Sequence, residues 1–224
     1  MNKKLKIKII IIIFILITII KIVQINFIEN IRIEIEKFQR LNNSYYNVSS
    51  SIKNQNIEIT IIRKGKIIKE VDDFIPIDNA TVKYIDFNNM QVINIDRFNK
   101  TYEIKNNIEN YDINIKNSPK ILELLNEIKQ DINNGNVFSI FNCFRIIYII
   151  PIQYKDINCY KIKTTREVLY INKDTLYPVY LEYNQTNSNN KKEKIKIEYI
   201  FKENTVTDED IKIPDLSNYK LVEN

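Results

Sequence analysis

The chain changes its hydrophobic rhythm twice. From Ile9 to Ile20 it is apolar without a break except Thr18, after a lead of Lys3, Lys4, Lys6 and Lys8. Lys21 interrupts the run, and Ile22 and Val23 resume it. The uninterrupted stretch is short for a spanning helix, which needs about 20 residues. A lysine that reaches toward the headgroups at position 21 extends the helix to Leu5–Val23. The pattern therefore predicts an N-terminal signal-anchor over residues 1–25, held in a membrane by Ile9, Ile13, Phe14, Leu16 and Ile20. The lysine lead predicts a cytoplasmic N-terminus and an extracytoplasmic body over residues 26–224, in a single-pass cell-membrane protein. Retention of the segment is expected, because the one alanine is Ala80 and the nearest serine downstream is Ser44, so no small-residue cleavage site follows it.

Beyond the run the spacing becomes helical. Phe27, Ile28, Ile31, Ile35, Phe38 and Leu41 predict an amphipathic helix over Asn26–Leu41, stopping at Asn42-Asn43. From Ser50 the period falls to two, and strands are expected over Ile57–Arg63, Lys66–Val71, Thr81–Phe87, Gln91–Asp96 and Thr101–Ile104. Lys64-Gly65 and Asn88-Asn89 are the expected turns between the first two pairs. One helix interrupts, about residues 118–134. Ser118 can cap it, Pro119 suits its first turn, and Ile121, Leu124, Leu125, Ile128 and Ile132 form its apolar stripe. Strands resume over Arg145–Gln153, Ile157–Thr164, Glu167–Asn172, Pro178–Tyr183 and Lys194–Phe201. The sum is a mainly antiparallel α+β chain: about ten strands curled into a half-barrel with the 118–134 helix against it, preceded by the membrane helix. No repeat or linker divides the body, which is expected to be one domain.

Charge supports this division. Of 224 residues, 33 are Lys or Arg and 28 Asp or Glu, and five of the lysines fall within the first 21 residues beside no acid. The rest is formally neutral, so the composition gives no concentrated basic face and no nucleic-acid partner is expected. The chain has no His, which removes the familiar Ser-His and Cys-His catalytic sets and the usual zinc ligands, and its two glycines cannot build a phosphate loop. No enzymatic activity, cofactor or metal is expected.

Three groups remain as candidates for chemistry. Cys143 and Cys159 are a candidate disulfide in an exported body, or else two unreactive core thiols. A hairpin about Lys155 sets Cys159 near Ile150, away from Cys143. Asp72-Asp73 and Asp208-Glu209-Asp210 are the densest acids, expected at solvated turns. Tyrosine occurs 14 times. Tyr84, Tyr102, Tyr148, Tyr160, Tyr170 and Tyr180, with Leu125 and Ile128 of the helix, are the candidate lining of a cavity, although sheet packing alone also accounts for tyrosine in strands.

Cys159-Tyr160-Lys161-Ile162, followed by Leu169-Tyr170-Ile171-Asn172-Lys173-Asp174-Thr175-Leu176-Tyr177-Pro178-Val179, resembles a hairpin stretch of the LolA/LolB/RseB-like lipoprotein-carrier superfamily. Phe201–Asp210, leading to Pro214-Asp215, looks like the closing strand and tail of such proteins from low-GC Gram-positive bacteria. The resemblance implies an unclosed barrel with an apolar interior, no catalysis, and the binding of a lipid, lipoprotein or protein partner. Asn172 departs from the usual Asp, and Leu176-Tyr177 from the usual turn. A tethered body is also unsuited to ferrying cargo. Two functions follow as expectations: a membrane-anchored protein that binds a lipid, lipoprotein or other apolar ligand in its half-barrel, or an RseB-type scaffold for a protein partner in envelope signalling or spore germination.

Overall fold

A computed structural model describes residues 3–52, 55–75, 81–106, 119, 122–123, 125–127, 130, 144–186 and 190–222. The two expected N-terminal helices are one. Helix α1 runs without interruption through Lys3–Gln39. No proline or glycine stands in this span, so nothing in its covalent structure breaks the hydrogen-bond ladder. Its end is close to the expected one, where Arg40 and Leu41 close the last turn onto Lys37 and Phe38.

Twelve strands follow among the described residues, two more than the sequence pattern suggests: β1 Asn43–Ile52, β2 Gln55–Lys64, β3 Ile67–Ile75, β4 Thr81–Asp86, β5 Gln91–Asp96, β6 Thr101–Asn106, β7 Ile146–Tyr154, β8 Ile157–Thr164, β9 Glu167–Asn172, β10 Pro178–Thr186, β11 Lys192–Glu203 and β12 Lys220–Leu221. The fold is mainly antiparallel β with a long apolar helix at its N-terminus. The chain divides into two compact units, Met1–Ile35 with Ser118–Leu176, and Glu36–Asn117 with Tyr177–Asn224.

In the first unit β8 lies between β7 and β9. The β7–β8 turn is tighter than expected. Tyr154 pairs with Ile157, so Lys155 and Asp156 alone make the turn, both with positive φ (45° and 34°). Cys159 consequently faces Ile152 and not Ile150. Tyr160, Ile162, Leu169 and Ile171 share one face of this small sheet. Phe27 of α1 meets Tyr160 edge-on at 4.9 Å, and Ile28, Ile31 and Ile35 are buried at helical spacing. Of the expected helix over 118–134, Leu122, Glu123 and Leu125–Glu127 are helical, with Leu122 and Leu125 buried. Ser118 and Ile128 lie outside the described residues.

In the second unit the strand order is β12-β6-β5-β4-β3-β2-β1-β11-β10. β12 pairs parallel with β6. Gly65 makes the β2–β3 turn at φ +59°, a conformation that disfavours side chains bearing a Cβ, so the turn is Gly65-Lys66 and Lys64 pairs with Ile67. β1 is the strand the sequence conceals. Its NSYYNVSSSI lies largely before the alternation expected from Ser50, yet it is a central strand between β2 and β11. Its buried Asn47 donates to the Glu58 carboxylate (2.6 Å) and to the Thr60 hydroxyl (2.9 Å), which satisfies the amide inside the sheet. One face carries an aromatic cluster. Phe38, at the end of α1, meets Tyr177 at 5.4 Å and Phe201 at 4.9 Å, and Phe201 meets Tyr46 at 5.0 Å. Burial pushes the Tyr46 hydroxyl far above its ordinary range of ionisation.

Candidate functional site

The candidate anchor is the most sharply drawn feature. Ile9, Ile13, Phe14, Leu16 and Ile20 are exposed to between 38% and 62%, as are most of their neighbours. The helix is long and apolar enough to cross a membrane, and almost none of that apolar stretch is buried. Leu5–Val23 spans about 28 Å at the helical rise of ~1.5 Å per residue, close to the ~30 Å hydrocarbon core of a bilayer. The exposed run continues through Ile22 and Val23, with Lys21 half-buried within it. Its ammonium, expected to reach out to headgroups, donates instead to the Ile146 carbonyl and to Gln24 Oε1 (3.1 Å), and stands 5.6 Å from the centre of the Phe144 ring. The residue that interrupts the apolar run is the one that fastens the helix to β7.

The candidate tyrosines do not converge. Tyr160 lies on the α1 side of the first unit's sheet, whereas Tyr148 and Tyr170 pair with Lys163 and Lys161 and face the other way. Tyr170 there meets Tyr154 at 4.8 Å. In the second unit Tyr84 and Tyr102 share a face of β4–β6, packed with Val82 and Ile95. The Tyr180 hydroxyl donates to Glu182 (2.9 Å). Alternation along a strand explains the outcome, because each tyrosine's face follows from pairing register, which composition does not carry. Leu125 is buried, and Ile128 lies outside the described residues.

What covers Tyr84 and Tyr102 is the chain's own C-terminal segment, a feature the sequence left as a loose tail. Asn43 clamps its root, donating to the Val206 carbonyl (3.0 Å) and accepting from the Val206 N–H (2.9 Å). Val206 and Ile211 pack on Ile62, and Leu216 and Tyr219 pack on the Val82–Tyr84–Ile95 cluster. The Tyr84 hydroxyl donates to the Lys212 carbonyl (3.0 Å), and the Lys69 ammonium to the Asp210 carbonyl (2.9 Å). Two local turns stiffen the segment. The Asp210 carboxylate accepts from Thr207 N–H (2.8 Å) and hydroxyl (2.7 Å), and Asp215 accepts in the same way from Ser217 (2.9 and 3.0 Å). These hydrogen bonds hold both carboxyls below their ordinary value of 3.8. A space of about 380 Å³ remains beneath the segment, bordered by Ile67, Tyr84, Ile93 and Ile211 but also by Asp86, Asp208 and Lys212.

The acids divide. Asp208 pairs with Lys64 at 2.7 Å at the surface, as expected of a turn. Asp72 and Asp73 are not in a turn: they lie within β3, opposite Ile59 and Glu58. Asp72 joins Glu70, Lys83, Asn94 and Glu103 at an open polar cavity of about 590 Å³ in the second unit. Glu70, Lys83, Asn94 and Glu103 are direct cross-strand neighbours along β3–β6, and Asn94 donates to Glu103 (3.2 Å). No group of three metal-ligating side chains occurs among the described residues. Cys159 is buried and carries no disulfide among the described residues. Desolvation pushes its thiol's pKa up, which disfavours the thiolate, against an opposing pull from Lys173. Cys143 lies outside the described residues.

No protein-family model matches the chain, and no curated protein matches it. Among solved structures, an uncharacterised conserved protein from Thermus thermophilus superposes with a TM-score of 0.44 at 11% identity, over 87% of this chain and 97% of that one. MucB, solved in complex with MucA(peri), superposes with a TM-score of 0.40 at 7% identity. That match covers 88% of this chain and 62% of MucB, so the chain spans less than two thirds of MucB's length. Both are distant structural likenesses.

Proposed function

We propose that this chain is a single-pass, membrane-anchored module with its N-terminus in the cytoplasm and its folded body outside. In this reading it works by holding a protein partner and not by catalysis. The observation that carries the reading is the change of solvent along α1. Its first half offers an apolar cylinder to the surroundings, and its second half buries Ile28, Ile31, Ile35 and Phe38 in the folded chain. A helix apolar on all sides belongs in lipid, and one with a single apolar stripe belongs on a protein core. The absence of His favours binding over chemistry.

A protein partner is preferred to a captive lipid because the chain supplies its own filling. The aromatic cluster around Phe38 and Phe201 and the C-terminal segment over Tyr84 occupy the apolar faces of the second unit. The spaces left beside them have charged borders, unsuited to an acyl chain. The test is mass spectrometry of lipid extracted from the full chain, purified in detergent and exhaustively exchanged into a second detergent. The reading predicts no lipid retained in proportion to protein. One lipid per chain surviving the exchange would replace it with the lipid-carrier reading.

A further inference from the structure

We infer that the base of the first unit, at Phe144 and Ile147, is a second membrane contact, seated in the headgroup region of the same bilayer that holds α1. The inference rests on the anchoring reading above and adds a surface of the folded body to it.

Geometry fixes which end of the unit faces the apolar half of α1. Lys21 is bonded to Ile146, and farther along the helix Phe27 meets Tyr160, the partner of Pro151. Between those contacts the helix rises about 9 Å, and β7 advances about 16 Å. Strand and helix therefore climb in the same sense, away from the exposed apolar run. Phe144 and Ile146 lie at the bottom, and the Lys155-Asp156 turn lies at the top.

At the bottom a bulge turns an apolar group outward, and Ile150 and Ile157 are also exposed farther up the hairpin. Ile146 pairs with Thr164 and Tyr148 with Lys163, so two steps on β7 match one on β8 and Ile147 is the extra residue of a bulge. Bulges re-aim side chains. Ile147 is 51% exposed and Phe144 46% exposed, beside the exposed Ile22 and Val23 of the helix. A water-facing bulge has no reason to carry isoleucine, whereas an interface accepts apolar groups flanked by cations.

The charges agree. Lys21 stands over the Phe144 ring, and the β8–β9 turn reaches the same end, with the Thr165 N–H donating to the Arg145 carbonyl (2.9 Å) and Arg166 exposed beside it. Arg145 is paired with Glu127 at 3.2 Å and Lys21 is engaged by Ile146 and Gln24, so the exposed Arg166 is the cation offered to anionic headgroups.

The chain has no tryptophan, so a single introduced indole is a clean depth probe. The full chain is reconstituted in vesicles of brominated phosphatidylcholine with anionic phosphatidylglycerol, carrying Phe14→Trp, Phe144→Trp, Ile147→Trp or Ile157→Trp. Ile157 adjoins the upper turn of the same hairpin. Bromine should quench Phe14→Trp most strongly, and Phe144→Trp and Ile147→Trp by roughly twofold when it sits near the headgroup, the depth expected of interfacial side chains. Ile157→Trp should be unaffected. If Phe14→Trp is quenched while Phe144→Trp and Ile147→Trp behave like Ile157→Trp, the second contact is overturned and the anchor stands. If Phe14→Trp itself is not quenched, the anchoring reading fails and takes the second contact with it.

Discussion

The two halves of α1 share one backbone and a wealth of isoleucine, yet they meet different surroundings. Between Leu5 and Ile20 every described large apolar side chain is at least 37% exposed, whereas Ile28, Ile31, Ile35 and Phe38 are at most 5% exposed. The difference lies in the polar residues between them. Glu29, Arg32, Glu34 and Glu36 give the second half a wet face, and Glu29 and Arg32 pair across it at 2.6 Å. The first half has only lysines before the run and one at its end. Isoleucine content alone thus tells a helix nothing about its solvent; the placing of charge around it does.

Substitutions that treat the halves alike should give unlike results. The largest effect is expected at Phe38, whose ring holds Tyr177 and Phe201 together. Phe38→Ala should cost about 3–5 kcal/mol of stability, read by chemical denaturation of the full chain in detergent. Ile31→Ala should cost about 2–4 kcal/mol, since the site is fully buried. Ile12→Ala, at a site 56% exposed, should shift the same denaturation curve by less than ~0.5 kcal/mol. Equal losses at positions 12 and 31 would break the comparison.

Just beyond the helix, Asn43 fastens the C-terminal segment by polar contacts alone. Asn43→Ala should cost about 1–2 kcal/mol and raise hydrogen exchange at Val206 ahead of the strands. The smallest effect is on pH. The Asp210 and Asp215 carboxyls titrate below their ordinary 3.8. The contribution of their turns is therefore complete above that value and lost as pH falls through the lower folded values. Amide exchange at Thr207 and Ser217 should quicken only in that acid window. Quickening already at neutral pH would place the turns' stability elsewhere.

Much of this fold was legible in the sequence, for physical reasons that also mark the limit. Strands β8 and β9 alternate cleanly, and their expected bounds, Ile157–Thr164 and Glu167–Asn172, are the observed ones. Asn172 closes the following turn by accepting from the Asp174 N–H (2.8 Å). Strand β1 was illegible because tertiary pairing on both sides outweighs its turn-like serines and asparagines. The C-terminal segment was illegible because its order comes from residues far away, such as Asn43 and Tyr84. At the candidate site the apolar anchor could be read from composition, whereas the facing of each tyrosine depends on register, as with Tyr148 and Tyr160 on opposite faces of one sheet.

The central claim is that Leu5–Val23 of α1 lies in lipid, and alkaline extraction of membranes tests it most directly. The full chain should remain with the membrane pellet, and a chain beginning at Asn26 should be released into the supernatant. Release of the full chain, or retention of the shortened one, would contradict the account.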